Sequence, residues 1–341
     1  QWIWWNTIRY WIKTTNHLIA SKTSLHIFLN IFNLHIMRPI IEYIKDPSHA
    51  ILGVIHKTNF LYPDAFYLKM LFKLRMGEKL DLKNPKSFNQ KLQWLKLYNH
   101  NPAYTKMVDK YAVKEYVASK LGEQYIIPTI GVWETPEQIE WNKLPKQFVL
   151  KTTHGGGGGG VAICKNINSF DKNKALQTLS VSMKSDIYKN LREWPYKGVK
   201  KQIIAEELLV PEDGDLKDYK VLCFNGKPKL IEFHSGRFTD SHTQDFYDTD
   251  WHKMPITQNG YGETSPTIAP KPELLEKMLG LCEILAAGMP HVRIDWYYCN
   301  GKLYFGEITF FDGSGFEKFD NYNDDLLLGS WIDLNLAYNN K

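Results

Sequence analysis

Residues 147–165 read QFVLKTTHGGGGGGVAICK. QFVLK is an apolar run that closes on Lys151, and VAICK repeats that character after the glycines, so the stretch predicts two β-strands joined by a glycine connection. Gly155, Gly156, Gly157, Gly158, Gly159 and Gly160 lose more backbone freedom on folding than any other residues would. A flexible linker usually interleaves Ser or charged residues with its glycines. Backbone N–H groups in such a connection can fold over an anion without side-chain bulk. No Gly-Lys-Ser/Thr follows, so this is not a Walker A loop, and a strand comes next, so it is not a Rossmann turn. A phosphate cradle and a plain hairpin tip both fit the run. Lys151 at the strand end favours the cradle, and Lys110 in MVDKYAV offers a second ammonium or an ordinary surface lysine.

Working outward, residues 61–125 predict helices, with Pro85 and Ser87 marking a turn in LKNPKSFNQKLQWLKLYN and Gly122 closing DKYAVKEYVASKLG. YIIPTIGVW predicts a short strand, residues 170–192 a helical region, and QIIAEELLV (202–210) a further strand. YKVLCFNGKPKLIEFHSG predicts a hairpin turning at Asn225–Gly226. Residues 238–269 are polar and predict a long surface or substrate-facing loop, followed by a helix over 271–288.

HVRIDWYYCNGKLYFGEITF (291–310) predicts a second hairpin, turning at Asn300–Gly301. Asp295 falls near the end of one strand; Glu307 and Thr309, two apart, share a face of the return strand. The turn would set Asp295 near Glu307. Two carboxylates and a further oxygen ligand suit Mg²⁺ shared with substrate phosphates; a pair of surface cross-strand carboxylates is the plainer alternative. Arg293 shares the face of Asp295, as an ion-pair partner or as a stabiliser of a developing oxyanion.

The chain has 341 residues, 43% hydrophobic and 23% charged, which excludes disorder and a disulfide scaffold. Its four cysteines form no CxxC pair, so no zinc site is indicated and reduced thiols are the simpler reading. The formal charge of +5 is too mild to argue for nucleic acid. It is also uneven: residues 1–60 hold six basic residues and two acidic ones, so the remaining 281 are nearly balanced. That stretch also carries Trp2, Trp4, Trp5 and Trp11. Two readings fit it: a helical region packed through Leu25, Phe28, Leu29, Phe32 and Ile36, or a helix lying in a membrane interface. No apolar run reaches the roughly 18–20 residues of a membrane span, and no signal-peptide pattern is present. His17, His26 and His35 are nine apart, which points neighbouring members to opposite helix faces rather than to one metal.

Taken in order, these pieces resemble the ATP-grasp fold and, within it, the TupA-like branch linked to teichuronopeptide and surface-polysaccharide biosynthesis. KSFNQKLQWLKLY, VDKYAVKEYV, IPTIGVWETPEQI, LPKQFVLKTTHGGG, IIAEELL, DYKVLCFNGKP, VRIDWYYCNGKLYFGEITF and GSGF carry the resemblance, over residues about 65–335. It implies an α+β ATP-grasp core of two sub-domains clasping ATP, preceded by a helical N-terminal region. The expected divisions are 1–60 (basic, Trp-rich, possible peripheral membrane contact), 61–125 (helical lead-in), 126–210 (N-lobe with glycine loop and hinge strand) and 211–341 (C-lobe with the metal hairpin). By the same resemblance Lys110 and Lys151 contact ATP phosphates, the glycine run covers the triphosphate, and Glu206, Glu207, Leu208 and Leu209 form the hinge against adenine. Asp218 sits near the ribose, and Lys220 points to phosphates or acceptor. Arg293 contacts the acyl phosphate, and Asp295, Glu307 and Thr309 hold Mg²⁺, as two ions. Thr309 and the pair Phe311–Asp312 depart from the residues more familiar at those places. His154, His234, Arg237 and His242 are candidate substrate contacts.

The implied activity is an ADP-forming carboxylate–amine ligase working through an acyl phosphate. Its expected substrates are an amino acid or amine and the carboxylate of a uronic-acid glycan or lipid-linked precursor. It would act in the cytoplasm, either free or at the inner face of the membrane, in capsule, O-antigen or cell-wall polysaccharide biosynthesis. A sugar phosphotransferase, a glycosyltransferase of the same pathway and a non-catalytic nucleotide-binding scaffold are the alternatives.

Overall fold

The computed structural model describes residues 47–156, 159–236, 242–258 and 264–337. The expectations for Leu25 to Ile36, the Trp-rich stretch and the three N-terminal histidines lie outside the described residues. The chain divides into two units, Gln1–Thr58 and Asn59–Lys341. In the first, helix α1 spans Pro47–Lys57. Among the described residues no helix is long and apolar enough to cross a membrane.

The second unit begins with helices α2 (Asp64–Met76), α3 (Phe88–Tyr98), α4 (Ala103–Val108) and α5 (Ala112–Leu121). Ser87 caps α3 by accepting from the backbone N–H of Gln90 at 3.3 Å. Leu92 and Leu95 are buried in its core face. A four-stranded antiparallel sheet follows, in the order β1-β4-β2-β3. Its strands are β1 (Thr129–Trp133), β2 (Phe148–Thr152), β3 (Val161–Cys164) and β4 (Ile203–Glu206). Helix α6 (Lys172–Lys184) covers it, and Phe148, Leu150, Leu179, Ile203 and Ala205 share one core. Residues 170–192 are interrupted at Ser185–Asp186, where Asp186 caps the short α7 (Ile187–Leu191).

The strand expected over 202–210 stops at Glu206, because β1 offers no partner beyond the pair Thr129–Glu206. The next backbone N–H, that of Glu207, donates to the carbonyl of Pro128 at 3.2 Å instead.

The larger sheet has six antiparallel strands in the order β10-β9-β5-β6-β7-β8. They are β5 (Lys217–Phe224), β6 (Lys227–Ser235), β7 (Thr243–Tyr247), β8 (Lys253–Met254), β9 (His291–Cys299) and β10 (Lys302–Thr309). Both hairpins turn at the expected Asn-Gly pairs, with φ of 53° and 80° at Asn225–Gly226 and 51° and 76° at Asn300–Gly301. Left-handed backbone at both positions is what a two-residue hairpin loop requires. Period-2 alternation then sorts the faces. Val221, Ile231, Ile294 and Trp296 join the core with Met278, Cys282 and Leu285 of helix α8 (Leu275–Ala286). Asp218, Lys220, Glu232, His234, Arg293 and Asp295 occupy the alternate positions, on the other face. Helix α9 (Tyr322–Ser330) adds Leu328 to the same core, which Ile332 and Ala337 extend beyond it.

The polar segment 238–269 is not a long loop. It supplies β7 and β8 and buries Phe246, Tyr247 and Trp251, with the last two rings stacked at 4.1 Å. Its polar residues are sheet members with partners: Gln244 donates to Glu232, and Lys253 pairs with Asp245. Residues 237–241 and 259–263 of this region lie outside the described residues.

Candidate functional site

Asp295 lies in the middle of β9, not near its end, and pairs in register with Lys220 of β5 and Glu307 of β10. Directly opposed positions put all three side chains on one face. A β-bulge between Phe305 and Glu307 makes that meeting possible. Gly306 occupies it, where a Cβ would come within 3.1 Å of the Asp295 carbonyl oxygen.

Arg293 is the centre of this cluster. Its Nε donates to Asp295 Oδ1 at 2.7 Å and its Nη2 to Asp295 Oδ2 at 2.9 Å, a two-pronged grip. Nη2 also reaches Glu307 Oε1 at 3.2 Å, and Nη1 donates to Asp312. Thr309 Oγ1 lies at the limit of contact, 3.4 Å from Nη2. Lys220 Nζ donates to Asp295 Oδ2 at 2.7 Å and sits 3.2 Å from Asp218. Lys110, from the short connection between α4 and α5, donates to Glu307.

Electrostatics favour the charged forms of Glu307 and Arg293. Burial pushes the Glu307 carboxyl up, but Lys110 and then Arg293 outweigh it and hold the group well below the usual carboxylate range. Burial likewise opposes the Arg293 charge, and Asp295 and Asp312 reverse that, raising its pKa further. Asp312 is the exception: burial raises its pKa, and Arg293 only partly offsets it.

A second cluster belongs to the smaller sheet. Lys151 of β2 and Lys114 of α5 both pair with Glu206 of β4, at 2.5 and 2.6 Å. Lys114 also donates to the Ile127 carbonyl and to Thr129 Oγ1, each at 2.7 Å. Burial disfavours the Glu206 carboxylate, but Lys151 and Lys114 together bring its pKa below the ordinary value. Lys110 ties the two clusters: its backbone N–H donates to the Thr153 carbonyl at 2.9 Å while its side chain reaches Glu307.

The remaining expected residues are placed less centrally. Glu207 is exposed, and Leu208 and Leu209 are half-buried beyond the end of β4. His154 is buried and turned to α6, its Nε2 3.1 Å from the Ser182 carbonyl, and burial lowers its pKa. Gly155, Gly156, Gly159 and Gly160 connect β2 to β3 as expected, the Gly160 carbonyl accepting from the Thr152 N–H at 3.0 Å. Gly157, Gly158 and Arg237 lie outside the described residues. His234 and His242 are bonded to each other at 2.8 Å.

Sequence reading passed over Lys114 and Glu232, and met Asp312 only as a departure from the residues more familiar at its place. Lys114 stands four residues after Lys110 in VDKYAVK, and Glu232 two before His234 in IEFHSG; both spacings were available as signals. Asp312 had none, because only the turn after β10 brings it to Arg293.

The donor set Asp295, Glu307 and Thr309 is all oxygen, on adjacent strands, and so fits Mg²⁺. A second group, Asp248, Asp250 and His252, is closely spaced on the β7–β8 turn. There Asp248 accepts from the backbone N–H groups of Asp250 and His252 at 3.0 and 2.8 Å, which makes it the turn's own cap.

The family model for TupA-like ATP-grasp proteins matches residues 90–333. The chain belongs to that family. A TupA-like ATP-grasp protein carries the ATP-grasp fold, and the helices and antiparallel sheets of this chain accord with that α+β class. No curated protein matches the chain. Among solved structures, D-alanine-D-alanine ligase from Helicobacter pylori is 16% identical, with 73% of this chain and 70% of that one covered and a TM-score of 0.40. The Bacillus anthracis D-alanine–D-alanine ligase complexed with ATP is 15% identical, covering 69% and 68%, at a TM-score of 0.39. The biotin carboxylase domain of Hydrogenobacter thermophilus 2-oxoglutarate carboxylase, in complex with MgADP, ADP and bicarbonate, is 15% identical, covering 77% and 51%, at 0.34.

Proposed function

We propose that this TupA-like ATP-grasp protein is an ATP-dependent carboxylate–amine ligase that forms an amide through an acyl phosphate. The observation that carries the reading is the convergence of Arg293, Lys220 and Lys110 on Asp295 and Glu307. Placed cations and carboxylates of this kind suit a reaction whose catalysis is positioning and charge stabilisation, with no side-chain nucleophile.

In this reading Lys110 and Lys151 bind the ATP phosphates beneath Gly155–Gly160, Glu206 to Leu209 border adenine, and Asp218 meets the ribose. Asp295, Glu307 and Thr309 hold Mg²⁺, as two ions. The metal, when bound, neutralises phosphate charge. A substrate carboxylate oxygen bonds to the γ-phosphorus as the bond to ADP breaks. The amine nitrogen then bonds to the acyl carbon, and phosphate leaves. Arg293 faces the acyl phosphate oxygens and Lys220 stands beside it, both oriented by Asp295.

The substrates we assign are the carboxylate of a uronic-acid glycan or lipid-linked precursor and an amino acid or amine, in surface-polysaccharide biosynthesis at the inner face of the membrane. The family resemblance and the basic, Trp-rich residues 1–60 support that assignment. The test is ADP release from purified full-length protein, screening proteinogenic amino acids against glucuronate- and galacturonate-terminated oligosaccharides. Release that requires both partners, with an amide as product, is the expected result. A phosphate adduct as final product identifies a phosphotransferase instead, and equal release with neither partner removes the ligase reading.

A further inference from the structure

One polar chain on the site face of the larger sheet has no part in the chemistry above. Glu232 of β6 is directly opposite Lys220, itself opposite Asp295, so it continues the line of charges one strand further. Its Oε1 accepts from His234 Nε2 at 2.6 Å and from Gln244 Nε2 at 2.8 Å. His234 Nδ1 is 2.8 Å from His242 Nε2, and the two rings lie within 19° of parallel. Glu232, His234 and Gln244 are all at most 4% exposed, whereas His242 is half-buried.

Proton positions follow from these contacts. Burial opposes the Glu232 charge, but His234, and after it Arg293 and Lys220, outweigh burial and favour the ionised form; a carboxylate can only accept, so His234 Nε2 carries a hydrogen. The His234–His242 bond then holds one hydrogen between two nitrogens. A proton added to the pair is shared across that bond, and its charge is answered by a carboxylate already in place. The same logic underlies a buried carboxylate that orients a histidine base. Around the pair stand Asp218 and Lys220 on β5, Glu232 on β6, neutral Gln244 on β7 and, through its charge, Arg293 on β9.

We propose that Glu232, His234 and His242 form the proton-accepting relay for the amine substrate. The inference rests on the ligase reading and deepens it. An amine arrives as an ammonium, whose nitrogen has no lone pair to attack with. The relay takes one N–H proton, the freed pair forms the C–N bond to the acyl carbon, and the C–O bond to phosphate breaks. Of the protons the nitrogen sheds, one is carried by the departing phosphate and one leaves through the half-buried His242 end. Glu232 is a positioning residue in this scheme, because it acts through His234.

Hydroxylamine supplies the test, because it is uncharged at neutral pH and needs no base; it traps acyl phosphates as hydroxamates. The full chain, His234→Gln and His242→Gln are assayed with MgATP and the oligosaccharides above, against amino acids or hydroxylamine. The expected result is a loss of about a hundredfold in amide formation for both variants, bypassed by hydroxylamine. Amide formation by the variants should also climb with pH as free amine accumulates, while the unaltered protein levels off. Equal losses with both nucleophiles make the chain structural and overturn the proposal, as does amide formation that the substitutions leave intact. Absence of hydroxamate from the unaltered protein overturns the ligase reading, and this inference with it.

Discussion

Lys220 Nζ donates to Asp295 Oδ2 at 2.7 Å from the register position directly across the β5–β9 ladder. Asp218 lies 3.2 Å from the same ammonium, and all three side chains are almost wholly buried. Lys220→Met therefore leaves two buried carboxylates one cation short. Breaking a buried ion pair from one side costs about 3–5 kcal/mol. Urea unfolding should show a midpoint lowered accordingly; an unchanged midpoint would show that Arg293 alone neutralises the cluster.

Arg293 spreads its contacts with Asp295, Glu307 and Asp312 over three nitrogens, Nη2 being shared by Asp295 and Glu307, which a single ammonium cannot imitate. Arg293→Lys keeps the charge and loses the fork. We expect ADP formation to fall by about 10²–10³ with a much smaller change in affinity for ATP. Single-turnover and nucleotide-binding measurements separate the two, and comparable loss in both would place Arg293 in binding rather than in the chemical step.

Gly306 makes room for Asp295 at the bulge, where a Cβ would sit 3.1 Å from its carbonyl oxygen and 3.3 Å from its Cβ. Gly306→Val forces β10 away from β9. The cost should be about 1–3 kcal/mol of stability, with a larger loss of activity because Glu307 leaves its place opposite Asp295. Thermal unfolding and ADP release read these separately; a variant with normal activity would show that the bulge does not set the site.

His291 lies between the rings of Phe88 and Phe224, each at 4.9 Å, and burial lowers its pKa from 6.5 to about 3. The unfolded chain binds a proton more readily than the folded one across that window. Stability from this group is thus full above about pH 6.5 and falls as pH drops toward 3, by up to about 1.4 kcal/mol per pH unit. Between about pH 6.5 and 5 the side chains that titrate are histidines, and His154, whose pKa burial also lowers, adds a slope of the same sign, so His291→Leu should reduce the pH dependence of unfolding there without abolishing it. A slope unaltered by the substitution would assign the acid sensitivity elsewhere.

Much of the fold was legible because it is written in short-range signals. The Asn-Gly pairs at 225–226 and 300–301 specify their hairpins through backbone conformation alone, and alternation then puts Arg293 with Asp295 and Glu307 with Thr309. Polarity misled where burial is shared across strands: Gln244 and Asp245 look like loop residues until Glu232 and Lys253 are set beside them. The strand expected over 202–210 was cut short because a strand lasts only as long as its neighbour, and β1 begins at Thr129.

By itself, the sequence determined the hairpins, the glycine connection, the cations and carboxylates of the site and the family to which they belong. Only the tertiary structure decided which charges meet. Lys110 and Glu307 are 197 positions apart, and Lys114 and Lys151 find Glu206 from a helix and a neighbouring strand. Such pairings depend on how strands register and how α5 packs, which no local spacing encodes. The energy of a buried charge depends on the partner it meets there, so the electrostatics of the site belong to the fold as a whole.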